Sequence, residues 1–298
     1  MDLEENKIFK SKLALIFSMT VFGTIGIFVR YIPLSSSIIA ALRGLIGATF
    51  LYFLLLLKGK KISVTAVKNN LKILMLSGGM IGIHWMFLFE AYNYTSIAMA
   101  TLCYYLAPVF IILLSPIFLK EKLTVKKLVC ALTALIGMVF VSGVIKGGID
   151  ISRIKGILYG VSAALFYAGI VILTKKLKDI NAYEMTTVQL AAAGFTVLPY
   201  ALFTGGIVKG EMTGFGFLML LIVGLLHTGI NYAVYFGAIK TLDVQTSAIF
   251  SYIDPVVAIL LSTLFLRERI DIYGIIGAVI ILGATFVSEI SVKKTYKT

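Results

Sequence analysis

Charge is what this sequence lacks: Lys, Arg, Asp and Glu together supply 14% of its 298 residues. A soluble chain of that length spends roughly a quarter of its residues on those four types to cover its surface. The shortfall excludes a soluble protein. Proline and cysteine are also sparse, at five and two residues, which removes collagen-like, disulfide-scaffold and disordered classes. Cys103 and Cys130 sit inside apolar runs, where they are expected to be small buried side chains and not a disulfide or metal site. Nothing resembles G-x-x-x-x-G-K-[ST] or H-E-x-x-H, so neither nucleotide-driven chemistry nor a zinc hydrolase is expected, and no cofactor is implied.

What the chain has in excess is apolar length, with 59% hydrophobic residues and a mean hydropathy of +1.00. Apolar runs bounded by charges fall at Leu13 to Val29, Ser35 to Leu57, Ile73 to Tyr92, Ile97 to Leu119, Leu128 to Ile145, Gly156 to Thr174, Met185 to Phe203, Phe217 to Ile239, Val244 to Leu266 and Ile272 to Ser288. Helices of that length match a hydrocarbon core of about 30 Å, whereas barrel strands would alternate over about ten residues. The prediction is an all-α integral membrane protein of ten transmembrane helices, with the lipid bilayer as its surroundings. Basic Lys7, Lys10 and Lys12 before the first run imitate a signal peptide, but no small-residue cleavage pattern follows, so a retained first helix is expected.

The net charge of +13 lies in short connections between the runs, so no nucleic-acid partner is implied. With the N-terminus inside, 19 basic residues fall on cytoplasmic segments and 7 on outer ones, and Arg43 within the second run completes the 27. That bias predicts a multi-pass protein of the cytoplasmic membrane with both termini in the cytoplasm.

The second half of the chain repeats the first. Pro108 to Leu123 reads PVFIILLSPIFLKEKL and Pro255 to Ile270 reads PVVAILLSTLFLRERI, an offset of 147 residues with 9 identities in 16 positions. The same offset pairs Phe89 with Phe236, Ala91 with Ala238 and Tyr105 with Tyr252. Residues 12–145 and 155–290 are thus expected to be two five-helix units. An odd number of spans per unit forces the second to cross the membrane in the opposite sense, the inverted-repeat plan of secondary transporters.

Two copies of P-V-x-x-I-L-L-S-x-x-F-L-[KR]-E-[KR], at Pro108 to Lys122 and Pro255 to Arg269, each preceded by F-x-A, resemble the EamA family of the drug/metabolite transporter superfamily. The resemblance covers nearly the whole chain. It implies a ten-helix fold, a central cavity lined by helices 1 to 4 and 6 to 9, helices 5 and 10 at the periphery, and transport of a small molecule.

Ionisable residues at mid-span cost about 2.5 to 3.5 kcal/mol each on insertion scales, so each needs a reason. Arg43, His84, His227 and Asp254 all fall near the midplane, where inverted-repeat carriers bind substrate. Asp254 precedes Pro255, which withholds an N–H from the Ser251 carbonyl one turn back, so a polar break is expected there. Pro108 is its counterpart, with Ala107 in the place of Asp254. Asp254 reads as a proton or cation site, or as the ion-pair partner of Arg43 or a capped kink, and Arg43 as a carboxylate-binding group or the neutraliser of Asp254. His227, Asn231 and Tyr235 recur every four residues on helix 8 and read as one polar face, and His84 pairs with Asn231 in the repeat alignment. Trp85, Tyr104, Tyr105, Tyr232, Tyr235 and Tyr252 lie at the same depth and suit an amine or planar ring, or simple packing. Glu90, Glu184, Glu121 and Glu268, near span ends, are expected to form interfacial ion pairs, and the GxxxG spacings Gly78/Gly82 and Gly156/Gly160 to serve internal packing.

The function expected is alternating-access transport of a small metabolite, an amino acid or amine first and a nucleoside, purine or drug-like compound second. Protons are the candidate coupling ion, and a monomer or weak homodimer is the expected assembly. An intramembrane lipid-modifying enzyme is disfavoured by the absence of paired catalytic carboxylates, and a channel by the absence of a ring of like charge.

Overall fold

The computed structural model describes residues 3–95, 97–141, 154–203, 211–266 and 272–289. These form ten helices: α1 (Leu3–Val29), α2 (Ser36–Leu57), α3 (Val64–Tyr94), α4 in two pieces, α4a (Ile97–Tyr104) and α4b (Ala107–Leu119), α5 (Val125–Val141), α6 (Ile154–Lys176), α7 (Ala182–Phe203), α8 (Gly214–Thr241), α9 in two pieces, α9a (Val244–Phe250) and α9b (Ile253–Leu266), and α10 (Ile272–Glu289). Lys146, Arg153, Lys209, Arg267, Glu268, Arg269 and the lysines beyond residue 289 lie outside the described residues.

Every apolar run became a helix, because a backbone in hydrocarbon must satisfy its own N–H and C=O groups. Polar turns extend two of them past the apolar run. α1 starts at Leu3 and α3 at Val64, the latter capped by the Ser63 hydroxyl, which accepts from the Ala66 N–H at 3.2 Å. Large apolar side chains such as Phe17, Leu57, Ile117, Leu158, Phe203 and Phe286 are exposed around the bundle, as a lipid-facing surface requires.

The main packing runs between the two halves of the chain. α2 lies on its counterpart α7 and α5 on its counterpart α10. α3 packs on α6 as α8 packs on α1, and α4b on α6 as α9b on α1. Two antiparallel five-helix units related by a pseudo-twofold axis in the membrane plane produce this reciprocal pairing.

Small residues set the closeness of these contacts. A Cβ added at Gly78 would lie 2.6 Å from the Ala192 Cβ and 2.7 Å from the Gln189 carbonyl oxygen, so α3 meets α7 almost backbone to backbone. Gly78→Val is therefore expected to destabilise the fold by about 1–3 kcal/mol. Thermal unfolding of the detergent-purified variant measures this, and an unchanged midpoint would contradict the close approach.

The connections after α2, α4, α6 and α8 share one end of the bundle, held together by lysines and carbonyls. The Lys175 ammonium donates to the Ile239 and Lys240 carbonyls at 3.0 and 3.1 Å and also to that of Leu242. Lys240 donates to the Ile180 carbonyl at 3.0 Å, and Lys127 pairs with Asp243. Burial opposes ionisation of the Asp243 carboxyl, yet bonds from Lys127 and Thr246 hold it below the ordinary aspartate range. Where interfacial ion pairs are expected, Glu90, Glu121 and Glu184 form none among the described residues. Glu90 accepts from the Tyr200 hydroxyl, Glu121 from the Val244 N–H, and Glu184 from the Ser63 N–H. Each carboxylate is taken up by a backbone or phenol donor at a helix end.

Candidate functional site

Helices 4 and 9 both break near the middle of the bundle, between Tyr104 and Ala107 and between Phe250 and Ile253. The prolines explain the place. Pro108 and Pro255 sit in the first turn of α4b and α9b, where a missing N–H costs nothing, but neither could continue an unbroken helix without losing a bond to the carbonyl four residues back. The break thus falls slightly before the Asp254–Pro255 pair. α1 comes close to it at Gly23, where an added Cβ would stand 2.7 Å from the Asp254 carbonyl oxygen.

A cavity of about 260 Å³ opens beside the two breaks. Arg43, His84, Trp85, Tyr104, Tyr105, Tyr232, Tyr235, Ser251 and Asp254 all line it, with Pro108 beside them. Ala107 and Asp254, the repeat-related pair, both face it. Ile25, Leu88 and Thr101 extend the lining away from the lysine-rich end. The volume lies just below the usual range for ligand pockets.

The two charged groups occupy separate places in that lining. The Arg43 guanidinium carbon sits 4.0 Å from the Trp85 ring centroid, a cation–π contact worth about 0.5–2 kcal/mol. Tyr232 hydrogen-bonds the guanidinium, and Trp85 and Tyr232 meet edge to face at 6.3 Å. Arg43 Nε is buried with no hydrogen-bond partner among the described residues. Asp254, in the first turn of α9b, is partly buried and hydrogen-bonded by Tyr105. Among the described residues no ion pair joins Arg43 to Asp254, so the neutralising pair considered from the sequence is not formed.

His84 is 4% exposed and stacks on Tyr104 with ring centroids 5.4 Å apart. Its Nδ1 lies 3.3 Å from the Ile81 carbonyl, while Nε2 is buried with no hydrogen-bond partner among the described residues. With Nδ1–H donating to Ile81, Nε2 is left as a free acceptor.

Three residues expected at the site stand behind it. His227 Nε2 lies 2.7 Å from the Thr24 hydroxyl and its ring packs on Phe28. Asn231 is tied to Ser18, accepting the Ser18 hydroxyl at 2.8 Å and donating to the Ser18 carbonyl at 3.0 Å. These bonds pin α8 to α1. His227, Asn231 and Tyr235 all turn toward α1, against Thr24, Ser18 and Phe22, although Val223–Ile230 is wound as a π-helix, and of the three Tyr235 lines the cavity. Tyr252 is fully buried, stacks on Tyr105 at 6.2 Å and donates to the Tyr105 carbonyl at 3.1 Å. It ties one break to the other while Tyr105 faces the cavity.

The sequence reading missed Tyr167, whose hydroxyl meets that of Tyr235 at 2.6 Å in the cavity wall. Its one signal was depth, since it falls near the middle of α6. Phe22 and Thr101 also line the cavity, and neither residue type distinguishes itself in an apolar run.

Known proteins agree with this architecture. The EamA-like transporter family matches the chain twice, over residues 10–143 and 154–289. The uncharacterized transporter YxxF of Bacillus subtilis is 31% identical over 273 residues, covering 91% of this chain and 86% of its own. The protein PecM of Dickeya dadantii is 25% identical, covering 87% of this chain and 85% of its own. A solved crystal structure with 21% identity superposes with a TM-score of 0.81 over 94% of this chain and 96% of that one, which establishes a shared fold. With two family matches spanning ten helices of inverted-repeat packing, the chain belongs to the EamA-like transporter family and is a membrane transporter of the drug/metabolite transporter superfamily.

Proposed function

We propose that the protein is a secondary carrier that moves a small zwitterion, an amino acid, across the cytoplasmic membrane by rocking its two repeats about the midplane cavity. One observation carries the reading: Arg43 and Asp254 line the same cavity without pairing with each other. An unpaired guanidinium takes a carboxylate, and an unpaired carboxylate takes an ammonium. Trp85, Tyr104, Tyr105 and Tyr232 surround the body of such a ligand, and His84 Nε2 offers a further acceptor. The termini lie in the cytoplasm in this reading, which puts the lysine-rich end on that side.

Thermal stability with added ligands tests the substrate class, because a compound that binds only the folded protein stabilises it by about 2.7 kcal/mol at one hundred times its dissociation constant. Amino acids are expected to raise the midpoint most, and their decarboxylated amines less. A shift with nucleosides and none with millimolar amino acids would replace the zwitterion by a stacked purine. Counterflow in proteoliposomes separates a carrier from a channel, since only a carrier exchanges labelled for unlabelled substrate. For orientation, cysteines placed at Lys126 and at Met212, in a background lacking Cys103 and Cys130, should label from outside cells with impermeant thiol reagents only at Met212. Labelling at Lys126 would reverse the topology.

A further inference from the structure

At the lysine-rich end, α4b and the connection that follows it grip the start of α9. Both Glu121 carboxylate oxygens accept from the Val244 N–H, at 3.1 and 3.2 Å. Lys127 pairs with Asp243. Gln245 Nε2 donates to the Ser115 hydroxyl at 3.0 Å and to the Lys122 carbonyl at 3.1 Å. Asp243 is at the same time the N-cap of α9a, accepting from the Thr246 N–H at 2.8 Å. Each of these gripping contacts joins the first repeat to the second. Ser115 and Gln245 are 0% and 1% exposed, so parting the helices would strip buried polar groups of their partners until water reaches them.

Among the described residues, the opposite end shows no equal. α4b packs on α9a, whereas no comparable contact among the described residues joins α4a to α9b. The repeat offset explains the asymmetry in the sequence itself. It keeps Glu121 as Glu268, outside the described residues, and Ser115 as Ser262, but sets Ser96 against Asp243 and Ala98 against Gln245, so the acid of the ion pair and the amide of the bridge have no counterpart in the sequence. The cavity lining likewise extends away from the gripped end, through Ile25, Leu88 and Thr101.

We propose that the α4–α5 connection is a one-sided latch, in which Glu121 and Lys127 are positioning residues that hold the empty carrier shut at its lysine-rich end and leave the cavity facing the other side. The proposal rests on the alternating-access reading, since a latch has meaning only where that end must open once per cycle. Glu121 and Lys127 stand outside the cavity, and their effect is on which state is populated.

The reporter is Ser115→Cys, which faces Gln245 inside the gripped interface, in a background of Cys103→Ala and Cys130→Ala. Alkylation of the detergent-purified protein by N-ethylmaleimide is slow while the latch holds. Adding Glu121→Ala with Lys127→Ala is expected to raise the rate about tenfold or more, as the loss of two charge-assisted bonds implies. Lys127→Arg, which keeps the ion pair, should leave it slow. A second reporter, Ala168→Cys on α6, 0% exposed, should stay unreactive in every variant. An unchanged Ser115→Cys rate, or a parallel rise at both reporters, overturns the latch. Counterflow of labelled amino acids in the same proteins keeps the two ideas apart. Exchange without the alkylation change would remove the latch alone, and the alkylation change without exchange of any amino acid would remove the substrate reading alone.

Discussion

Asp254→Asn is expected to abolish uphill transport while sparing exchange. The residue lies in the first turn of α9b beside the break, lines the cavity, and is bonded by Tyr105. A carboxylate at that depth is expensive unless it works or is paired, and Arg43 does not pair with it. The scaffold does not need it, because Ala107 fills the equivalent place in the first repeat and lines the same cavity. Carrying a proton through the cycle is a role that needs the group and leaves the fold indifferent to it. A pH difference of one unit is worth about 1.4 kcal/mol per proton, enough for about tenfold accumulation of a substrate coupled to one proton. Asparagine cannot take up or release that proton but resembles the protonated carboxyl in shape, so accumulation should fall to none and exchange at equal concentrations should continue. Uptake driven by an imposed pH gradient, measured beside counterflow in proteoliposomes, reads both. A variant that still concentrates substrate would take Asp254 out of coupling.

The same residue shows why much of the site was legible in the sequence. Arg43, His84 and Asp254 stood out because each interrupts an apolar run at mid-depth, where chance alone seldom leaves an ionisable group. Duplication added Tyr105 and Tyr252, and the structure divides their labour: Tyr105 faces the cavity and Tyr252 braces its backbone. The prolines pointed to both broken helices, but a proline restricts the turn before it, so each break begins ahead of the residue that marks it. What stayed hidden depended on partners. A four-residue spacing groups His227, Asn231 and Tyr235, but which of them reaches the cavity is decided by α1, whose Thr24 and Ser18 take up His227 and Asn231 while Tyr235 lines the cavity. No pattern within α1 announces that Ser18 and Thr24 will meet α8, since that contact exists only once the repeats are folded together. Tyr167 was missed for the same reason, because its hydroxyl acquires a meaning only against Tyr235.

Arg43→Gln is expected to weaken an amino acid about tenfold or more, and its decarboxylated amine far less. A charge-assisted hydrogen bond contributes about 1.5–3 kcal/mol, and each 1.4 kcal/mol is tenfold in affinity. Trp85 holds the guanidinium from one face at 4.0 Å and Tyr232 bonds it, leaving the buried Nε unsatisfied. A buried donor without an acceptor among the described residues is prepared for one brought by a ligand, and a substrate carboxylate is the group that fits. Glutamine keeps a similar length and polarity but loses the charge and the planar fork, so the cavity walls should persist while the carboxylate loses its partner. The amine has no carboxylate to lose, and its ammonium would still meet Asp254 across the cavity. Binding of the pair to wild type and variant, by calorimetry or thermal shift, therefore yields a ratio that cancels any general loosening of the site. Equal loss for both ligands would mean that Arg43 braces Trp85 and Tyr232 without touching substrate, and the zwitterion would then have no anchor for its acid end.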